Sequence, residues 1–236
     1  MANSYGPQSI VQDGLVFTMD AGNTLSYTSG STTVYNIMGN NTGSMINSSD
    51  DGIAIDSSEG GGSWRFDGTD ERIDCDTFTN IVGAGSLANY TIEIWVKGDS
   101  YQRGDLAIGN KTTLRHLGGY SFYWHELVGF IADGTWGSSG RIFPQTNNAN
   151  YSDWQQVTVT YDGSNVYIYS NAIVGSGTTT QTGDMNAAGE QFCIGGTNQT
   201  GNLEWDGWIT AIKVYNRALS ASEILQNYNA TKNRFQ

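Results

Sequence analysis

Prolines, cysteines and charged residues are scarce in this sequence of 236 residues, and it contains no long hydrophobic run. The 2 cysteines, Cys75 and Cys193, lie far apart without a C-x-x-C spacing. A zinc or redox motif is therefore unsupported, and we expect two buried thiols whose pairing the sequence leaves open. No stretch approaches the roughly 18 apolar residues of a membrane-spanning helix. The opening residues show neither the basic nor the apolar segment of a secretory signal.

Basic residues are scarcer than acidic ones, with 11 Lys and Arg against 23 Asp and Glu and a net charge of −12. Proteins bind nucleic acid and anionic membranes largely through Lys and Arg, and these are scattered here. We therefore expect neither nucleic acid nor a membrane as partner. The polar residues are mostly Ser, Thr, Asn and Gln and accompany 31 glycines, a composition that suits strands and tight turns.

Alternation of apolar and polar residues predicts an all-β fold. In WQQVTVTYDGSNVYIYSN the alternation continues on both sides of Asp162-Gly163, which is the pattern of a β-hairpin. GLVFTMDAG, SWRFDG, YTIEIWVKG, FCIGG and DGWITAIKVYN read as further strands, and YSFYW with LVGFIADG as a second hairpin. Short strands with frequent turns indicate a sandwich or barrel.

The two ends of the chain differ from this pattern. Residues 1–13 form a polar N-terminal arm, and residues 14–236 are expected to form a single domain. Ser220 stands three residues before Glu223, which Ile224 follows, and this capping box predicts a short helix over about 221–231. The Gly/Ser/Thr stretches 29–33 and 175–180 are expected to be loops.

The acidic stretch FDGTDERIDCD places five carboxylates within eleven residues. Their offsets do not match a calcium-binding EF-hand loop. Asp67-Gly68 is typical of a turn. In the strand that follows, Ile73 and Cys75 belong to the core face, so we expect Asp74 and Asp76 to face water.

Several of these segments, in this order, resemble a laminin-G-like module of the concanavalin A-like lectin/glucanase superfamily. The hairpin W…V.VTYDGS and the closing G…I…YNRALSASEI are the most specific parts of the resemblance, which runs roughly from Gly14 to Tyr228. It implies a jelly roll of two curved antiparallel sheets with a short C-terminal helix. Residues 101–151 match least, and YIYSNAIVGSG replaces the usual Asp-Gly turn. The first 27 residues also resemble module starts in structural proteins of tailed phages, marine cyanophages among them.

The glucanase branch of the superfamily carries acids in an E-x-D-x-x-E arrangement on one strand. The nearest candidate here is Glu93 in TIEIWVKGD, where Trp95 stands at the position of the second acid. His116 and His125 have no nucleophile at a recognisable spacing. We therefore expect the protein not to be an enzyme.

Trp124, His125 and Trp136 are the candidate ligand-binding residues, in the glycine-rich segment GGYSFYWHELVGFIADGTWGSSG. Sugars stack on exposed aromatic rings while Asn, Asp and Glu bind their hydroxyls. The alternative is that both tryptophans belong to the core, where tryptophan is usually found.

Calcium is an open alternative, because relatives of this fold often hold the ion at the rim of the sandwich. Asp20 with Asn23, or Glu204 with Asp206, offer oxygen ligands. Asp20 and Asn23 could equally fix a loop through Asx-type hydrogen bonds.

The resemblances lead to two functional hypotheses. The first is a non-enzymatic structural protein on the surface of a phage virion, as a capsid decoration, tail or fibre adhesion module that contacts other virion proteins or copies of itself. In that hypothesis the arm, with Tyr5, Ile10 and Val11, orders on a neighbouring subunit. The second is a lectin module that binds host or surface glycans.

Overall fold

The computed structural model describes residues 9–46, 53–82, 89–99, 108–110, 119–123, 126–130, 141–142, 152–175, 179–180, 191–196 and 204–235. The elements in chain order are β1 (Leu15–Asp20), β2 (Thr33–Tyr35), β3 (Thr42–Ile46), β4 (Ala54–Asp56), β5 (Ser63–Asp67), β6 (Arg72–Thr77), α1 (Phe78–Val82), β7 (Tyr90–Gly98), β8 (Ile108–Asn110), β9 (Gly119–Tyr123), β10 (Glu126–Phe130), β11 (Arg141–Ile142), β12 (Gln155–Tyr161), β13 (Asn165–Ser170), β14 (Ile173–Val174), β15 (Thr179–Thr180), β16 (Gln191–Ile194), β17 (Asp206–Tyr215) and α2 (Ala221–Thr231), followed by a 3-10 turn (Lys232–Arg234).

Two antiparallel sheets build the sandwich, as the sequence predicts. The large sheet has the order β14-β13-β12-β7-β17-β5-β4, and β1 pairs with the second half of β17 while β15 pairs with β13. The small sheet has the order β2-β3-β6-β16-β8, and β9, β10 and β11 form a separate three-stranded sheet. Both predicted hairpins are confirmed, β12 with β13 and β9 with β10. The strand YTIEIWVKG lies centrally in the large sheet, as expected from its apolar sequence.

The core fills the space between the inner faces of the two sheets. Phe17 lies edge-on to Phe192 at 6.0 Å between ring centroids, and Phe78 lies 5.6 Å from Phe192. Strand β3 contributes a glycine to this core, because a Cβ at Gly43 would lie only 2.6 Å from Cγ2 of Ile73. The apolar residues that alternate along β7 and β12 lie in this core, as the alternation in the sequence predicts.

Helix α2 covers the outer face of the large sheet. Its predicted capping box is confirmed, because the Ser220 side chain accepts from the Glu223 backbone N–H and the Glu223 carboxylate accepts from the Ser220 backbone N–H. Ile224 packs with Val11 and Leu15 in a second apolar cluster outside the main core. The described part of the predicted arm therefore lies against α2 of its own chain.

The two cysteines are buried free thiols, as predicted. Cys75 faces the main core, whereas Cys193 is paired in register with Asp74 on the opposite face of the small sheet. Burial raises the pKa of both thiols, and the Asp74 carboxylate adds to the effect. The alternation along the strands therefore directs the two sulfur atoms to opposite sides of one sheet, where they cannot form a disulfide.

The expected exposure of Asp74 was wrong. Its side chain is buried, its Oδ1 accepts from Arg72 Nε at 2.9 Å, and the Cys193 thiol donates to the same oxygen at 3.3 Å. The outer face of the small sheet is covered where β6 meets β16, which the alternation within a single strand could not reveal. The predicted loop 29–33 ends one residue into β2, and the loop 175–180 includes β15.

Among the helices that the structure describes, none has the length and apolar character that crossing a membrane requires.

Candidate functional site

The residues predicted as ligand-binding, Trp124, His125 and Trp136, lie outside the described residues. The structure describes the other five of the 7 tryptophans. Three are buried and two are half-buried: Trp64, Trp95 and Trp205, and Trp154 and Trp208. None of these five offers an open ring at a loop tip.

Among the aromatic residues whose side-chain exposure the structure describes, Tyr35 is the exposed one, with 51% of its surface accessible. It stands at the end of β2, whose central residue Val34 is fully buried in the core. Because side chains alternate along a strand, Tyr35 and Thr33 lie on the outer face of the small sheet. We call this surface the small-sheet face; it consists of Thr33, Tyr35, Thr42, Ser44, Arg72, Asp74 and Asp76.

Two rows of side chains cross the small-sheet face. Tyr35 is the direct cross-strand partner of Thr42, and Thr33 is the partner of Ser44. Ser44 is in turn paired with Asp74 on β6. Neighbouring strands lie about 4.8 Å apart, so an aromatic ring, hydroxyl groups and carboxylates fall within about 10 Å of one another. Thr42 and Ser44 are exposed.

Asp76 is the carboxylate at the open end of this face, and two amides hold it. Asn41 Nδ2 donates to Oδ2 at 2.9 Å, Asn80 Nδ2 donates to Oδ1 at 2.9 Å, and the Thr77 backbone N–H donates to Oδ1 at 2.7 Å. The bond from Asn80 lowers the pKa of Asp76 most, followed among these donors by the bonds from Thr77 and Asn41. Asp76 is therefore an ionised, half-buried acceptor beside two amides, a group that can bind hydroxyls.

The other end of the face is closed. Arg72 and Asp74 form an ion pair whose side chains are 13% and 5% exposed. Cys193, the next residue across the sheet, is fully buried. The accessible part of the small-sheet face therefore lies on β2, β3 and the Asp76 end of β6.

A second aromatic and charged cluster lies on the outer face of the large sheet, around Trp208. Its neighbours in register on the adjacent strands are Arg65 and Lys97, whose cationic groups lie 4.8 and 4.9 Å from the Trp208 ring centroid. The Trp208 indole N–H donates to Asp56 at 3.0 Å. Both the ring and the N–H are thus engaged within the protein, so this cluster is a poor platform for a sugar ring.

Three of the four candidate calcium ligands, Asp20, Asn23 and Asp206, are engaged in hydrogen bonds, and the fourth, Glu204, is buried. Arg234 donates to both carboxylate oxygens of Asp20 at 2.7 and 2.9 Å, and Asp20 Oδ1 also accepts from the Gly22 backbone N–H. Asn23 Oδ1 accepts from the backbone N–H of Leu25. These contacts agree with the Asx-type alternative. Asp206 Oδ1 accepts from Arg65 Nη2 at 2.9 Å. In the described ranges, no three acidic, histidine or cysteine residues come together as a metal site.

Glu93, the carboxylate nearest to the glucanase pattern, lies beneath α2. It is 1% exposed, and its Oε1 accepts from Asn227 Nδ2 at 2.9 Å. Burial raises its pKa, while Lys213 and Asn227 oppose that effect. Glu93 therefore fixes the helix to the sheet and faces no cleft.

A family model described as concanavalin A-like lectin/glucanases superfamily, of the laminin G type, matches residues 77–225, which is more than half of the chain. The chain belongs to this superfamily. No curated protein matches it in sequence. The family assignment confirms the resemblance predicted from the hairpin and the C-terminal motif, and the architecture above is the one that the superfamily implies.

Solved structures share this fold at low sequence identity. Domain 4 of AbnA, an extracellular arabinanase from Geobacillus stearothermophilus in complex with arabinotriose, has a TM-score of 0.61 and 19% identity, over 91% of this chain and 98% of that one. Botulinum neurotoxin type C, whose cell entry depends on two ganglioside molecules, has a TM-score of 0.66 and 14% identity, over 92% of this chain and 51% of that one. A Trypanosoma rangeli sialidase has a TM-score of 0.62 and 14% identity, over 98% of this chain and 36% of that one.

This chain therefore spans about half of the neurotoxin chain and about a third of the sialidase chain in those structures, and these identities establish the fold alone. Within the fold, sequence reasoning missed Tyr35 because β2 has only three residues. The signal that could have found it is the short alternation Thr33, Val34, Tyr35, which places an aromatic residue on the polar side.

Proposed function

We propose that this domain is a non-enzymatic carbohydrate-binding module that binds glycans on the small-sheet face. The observation that carries the proposal is Tyr35, which holds an open ring on a strand beside hydroxyls and an ionised carboxylate. Sugar rings present C–H faces that stack on aromatic rings and hydroxyls that bond to planar polar groups. Tyr35 with Asp76 and its two amides offers both kinds of contact within about 10 Å.

Two of the structural neighbours support this proposal. The arabinanase domain was solved with arabinotriose, and the neurotoxin depends on gangliosides. Arabinotriose is a carbohydrate and gangliosides carry one. The match covers 98% of the arabinanase domain but only 51% of the neurotoxin chain, so the arabinanase domain gives the stronger support. Arabinotriose is accordingly a suitable first probe for this chain.

The proposed lack of catalysis follows from the placement of the acids. Glycosidases need two carboxylates about 5–10 Å apart across a cleft. Glu93 is buried under α2, Asp74 is neutralised by Arg72, and Asp76 is held in the ionised form. A general acid requires a raised pKa in an accessible carboxyl group, and none of these three combines the two properties.

The proposal is tested by binding measurements on Tyr35→Ala. A glycan array that includes arabinotriose identifies ligands, and calorimetry then compares the variant with the unmodified protein. We expect at least a tenfold loss of affinity, about 1.4 kcal/mol, with an unchanged melting temperature. Leu25→Ala is the matched control, because it removes an exposed apolar side chain outside the face. Undiminished binding by Tyr35→Ala, or no glycan bound at all, would contradict the proposal.

The viral setting stays a prediction, and glycan binding is compatible with it. A phage surface module that adheres to a host would need such a face. The support for this setting is the resemblance of the first 27 residues to phage module starts, together with the acidic surface rich in Ser, Thr and Asn. Mass spectrometry of purified virions would detect this chain if the setting is right, and its absence there would exclude it.

A further inference from the structure

We propose that the small-sheet face selects neutral oligosaccharides and discriminates against anionic ones. This inference rests on the proposed function and adds the chemical class of the ligand. It comes from the charges on the face: among the described side chains its cation, Arg72, is paired with Asp74, while the Asp76 carboxylate is bonded to neutral donors.

Arg72 is the cation of the small-sheet face, and it is already engaged. Its Nε lies 2.9 Å from Asp74 Oδ1, and the guanidinium side chain is only 13% exposed. The other cationic side chains that the structure describes lie elsewhere: Arg65, Lys97 and Lys213 on the large sheet, and Arg217, Lys232 and Arg234 around the C-terminal helix. A ligand carboxylate on this face would therefore find no open cationic partner among the described residues.

Asp76 leaves a net negative charge where a ligand would bind. Three hydrogen bonds from nitrogen stabilise its ionised form, and it remains partly accessible beside the exposed Thr42. An anionic sugar next to this carboxylate would be repelled, and the overall charge of −12 acts in the same direction at longer range. A neutral sugar would instead donate a hydroxyl hydrogen to Asp76 Oδ2, which accepts one hydrogen bond within the protein, whereas Oδ1 accepts two.

The test compares matched pairs of probes that differ by one charged group or more. Suitable pairs are the methyl ester of sialyllactose with sialyllactose, and galactotriose with trigalacturonic acid, measured together with the other neutral and carboxylated pairs of a glycan array at low salt. We expect the neutral member of each bound pair to bind about tenfold more tightly than its anionic counterpart. High salt should reduce this ratio.

Asp76→Asn sharpens the test, because it removes the charge and nearly preserves the shape of the side chain. We expect the ratio of neutral to anionic affinity to fall several-fold in this variant. Asp67→Asn is the matched control: Asp67 is an exposed carboxylate in the β5–β6 turn, outside the face, so its removal should leave the ratio unchanged.

The outcomes separate this inference from the proposed function. Equal or tighter binding of the anionic probes at a Tyr35-dependent site would overturn the selectivity while glycan binding itself stands. A ratio that does not respond to Asp76→Asn would also overturn it. Failure of every probe to bind would refute the proposed function and this inference with it.

Discussion

The outer faces of the large sheet and the small sheet both carry polar side chains, but among the described elements a helix covers only the first. Under α2, Glu93, Asn227 and Lys213 are buried and bonded to one another or lie close together. On the small-sheet face, Tyr35 and Thr42 are exposed. Buried polar groups must be satisfied inside the protein, whereas exposed ones stay available to a ligand.

Because the polar groups of one face are buried and those of the other are exposed, polarity alone does not mark a binding site. In the sequence Glu93 is a candidate functional residue because it is a carboxylate on a central strand. In the structure it is buried beneath α2, where it stabilises the packing of the helix on the sheet. Tyr35 was not a candidate in the sequence, yet its ring is open to solvent. The two faces should therefore respond to substitution in opposite ways, with large effects on stability under α2 and large effects on binding at Tyr35.

Among substitutions on the two outer faces, Asn227→Ala is expected to have the largest effect on stability. The Asn227 side chain donates to Glu93 and to the Tyr215 hydroxyl and accepts from the Val11 backbone N–H. Its loss leaves buried groups without partners and should lower the free energy of unfolding by about 3 kcal/mol. Denaturant unfolding measures this change. Leu225→Ala on the exposed side of the same helix is the control, and equal effects of the two would contradict the account.

Removal of residues 1–12 should have the next largest effect. Val11 is 8% exposed and packs in the cluster around Ile224. Burial of such a side chain stabilises by about 2 kcal/mol, so the truncated protein should melt at a lower temperature. Gln12→Ala, which alters an exposed side chain of the same segment, should not. If truncation leaves the melting temperature unchanged, the segment acts as the independent arm that the sequence predicts.

The stability of the protein should depend on pH through Glu93, which is buried beneath α2 on the covered face. Burial raises the pKa of Glu93 above its ordinary value of 4.5 in the folded protein. Protonated Glu93 therefore makes its full contribution to the free energy of unfolding below about pH 4.5, and that contribution is lost as the pH rises through the folded-state pKa. Glu93→Gln, which cannot ionise, should gain stability relative to the unmodified protein over that rise. Unfolding midpoints of the two proteins, measured from pH 4 to pH 8, would show this gain. If the two midpoints change with pH in the same way, the prediction is refuted.

Tyr35→Ala should have the smallest effect on stability. The side chain is half exposed and its removal opens no cavity in the core, so we expect a change within about 0.5 kcal/mol. The same denaturant unfolding series measures it, with Phe17→Ala in the core as a contrast at about 4 kcal/mol. A loss comparable to that of Phe17→Ala would show that Tyr35 belongs to the structure, and the comparison between the two faces would fail.

The sequence predicts the elements that depend on local signals. The hairpin around Asp162-Gly163 and the capping box at Ser220 follow from neighbouring residues, and both are present. Asp74 and Glu93 could not be placed in this way, because their burial depends on a neighbouring strand and a helix distant in sequence. Tyr35 was missed since β2 is too short for alternation to be recognised. The position of a candidate site depends on which sheet face remains uncovered, and that is a tertiary property.

The most direct test of the proposed site is a crystal structure of this domain with the oligosaccharide that it binds most tightly. We expect a sugar ring stacked on Tyr35, with its hydroxyls bonded to Asp76 or to the neighbouring side-chain amides of Asn41 and Asn80. A sugar bound at the Trp208 cluster or along α2, with the Tyr35 ring left bare, would contradict it.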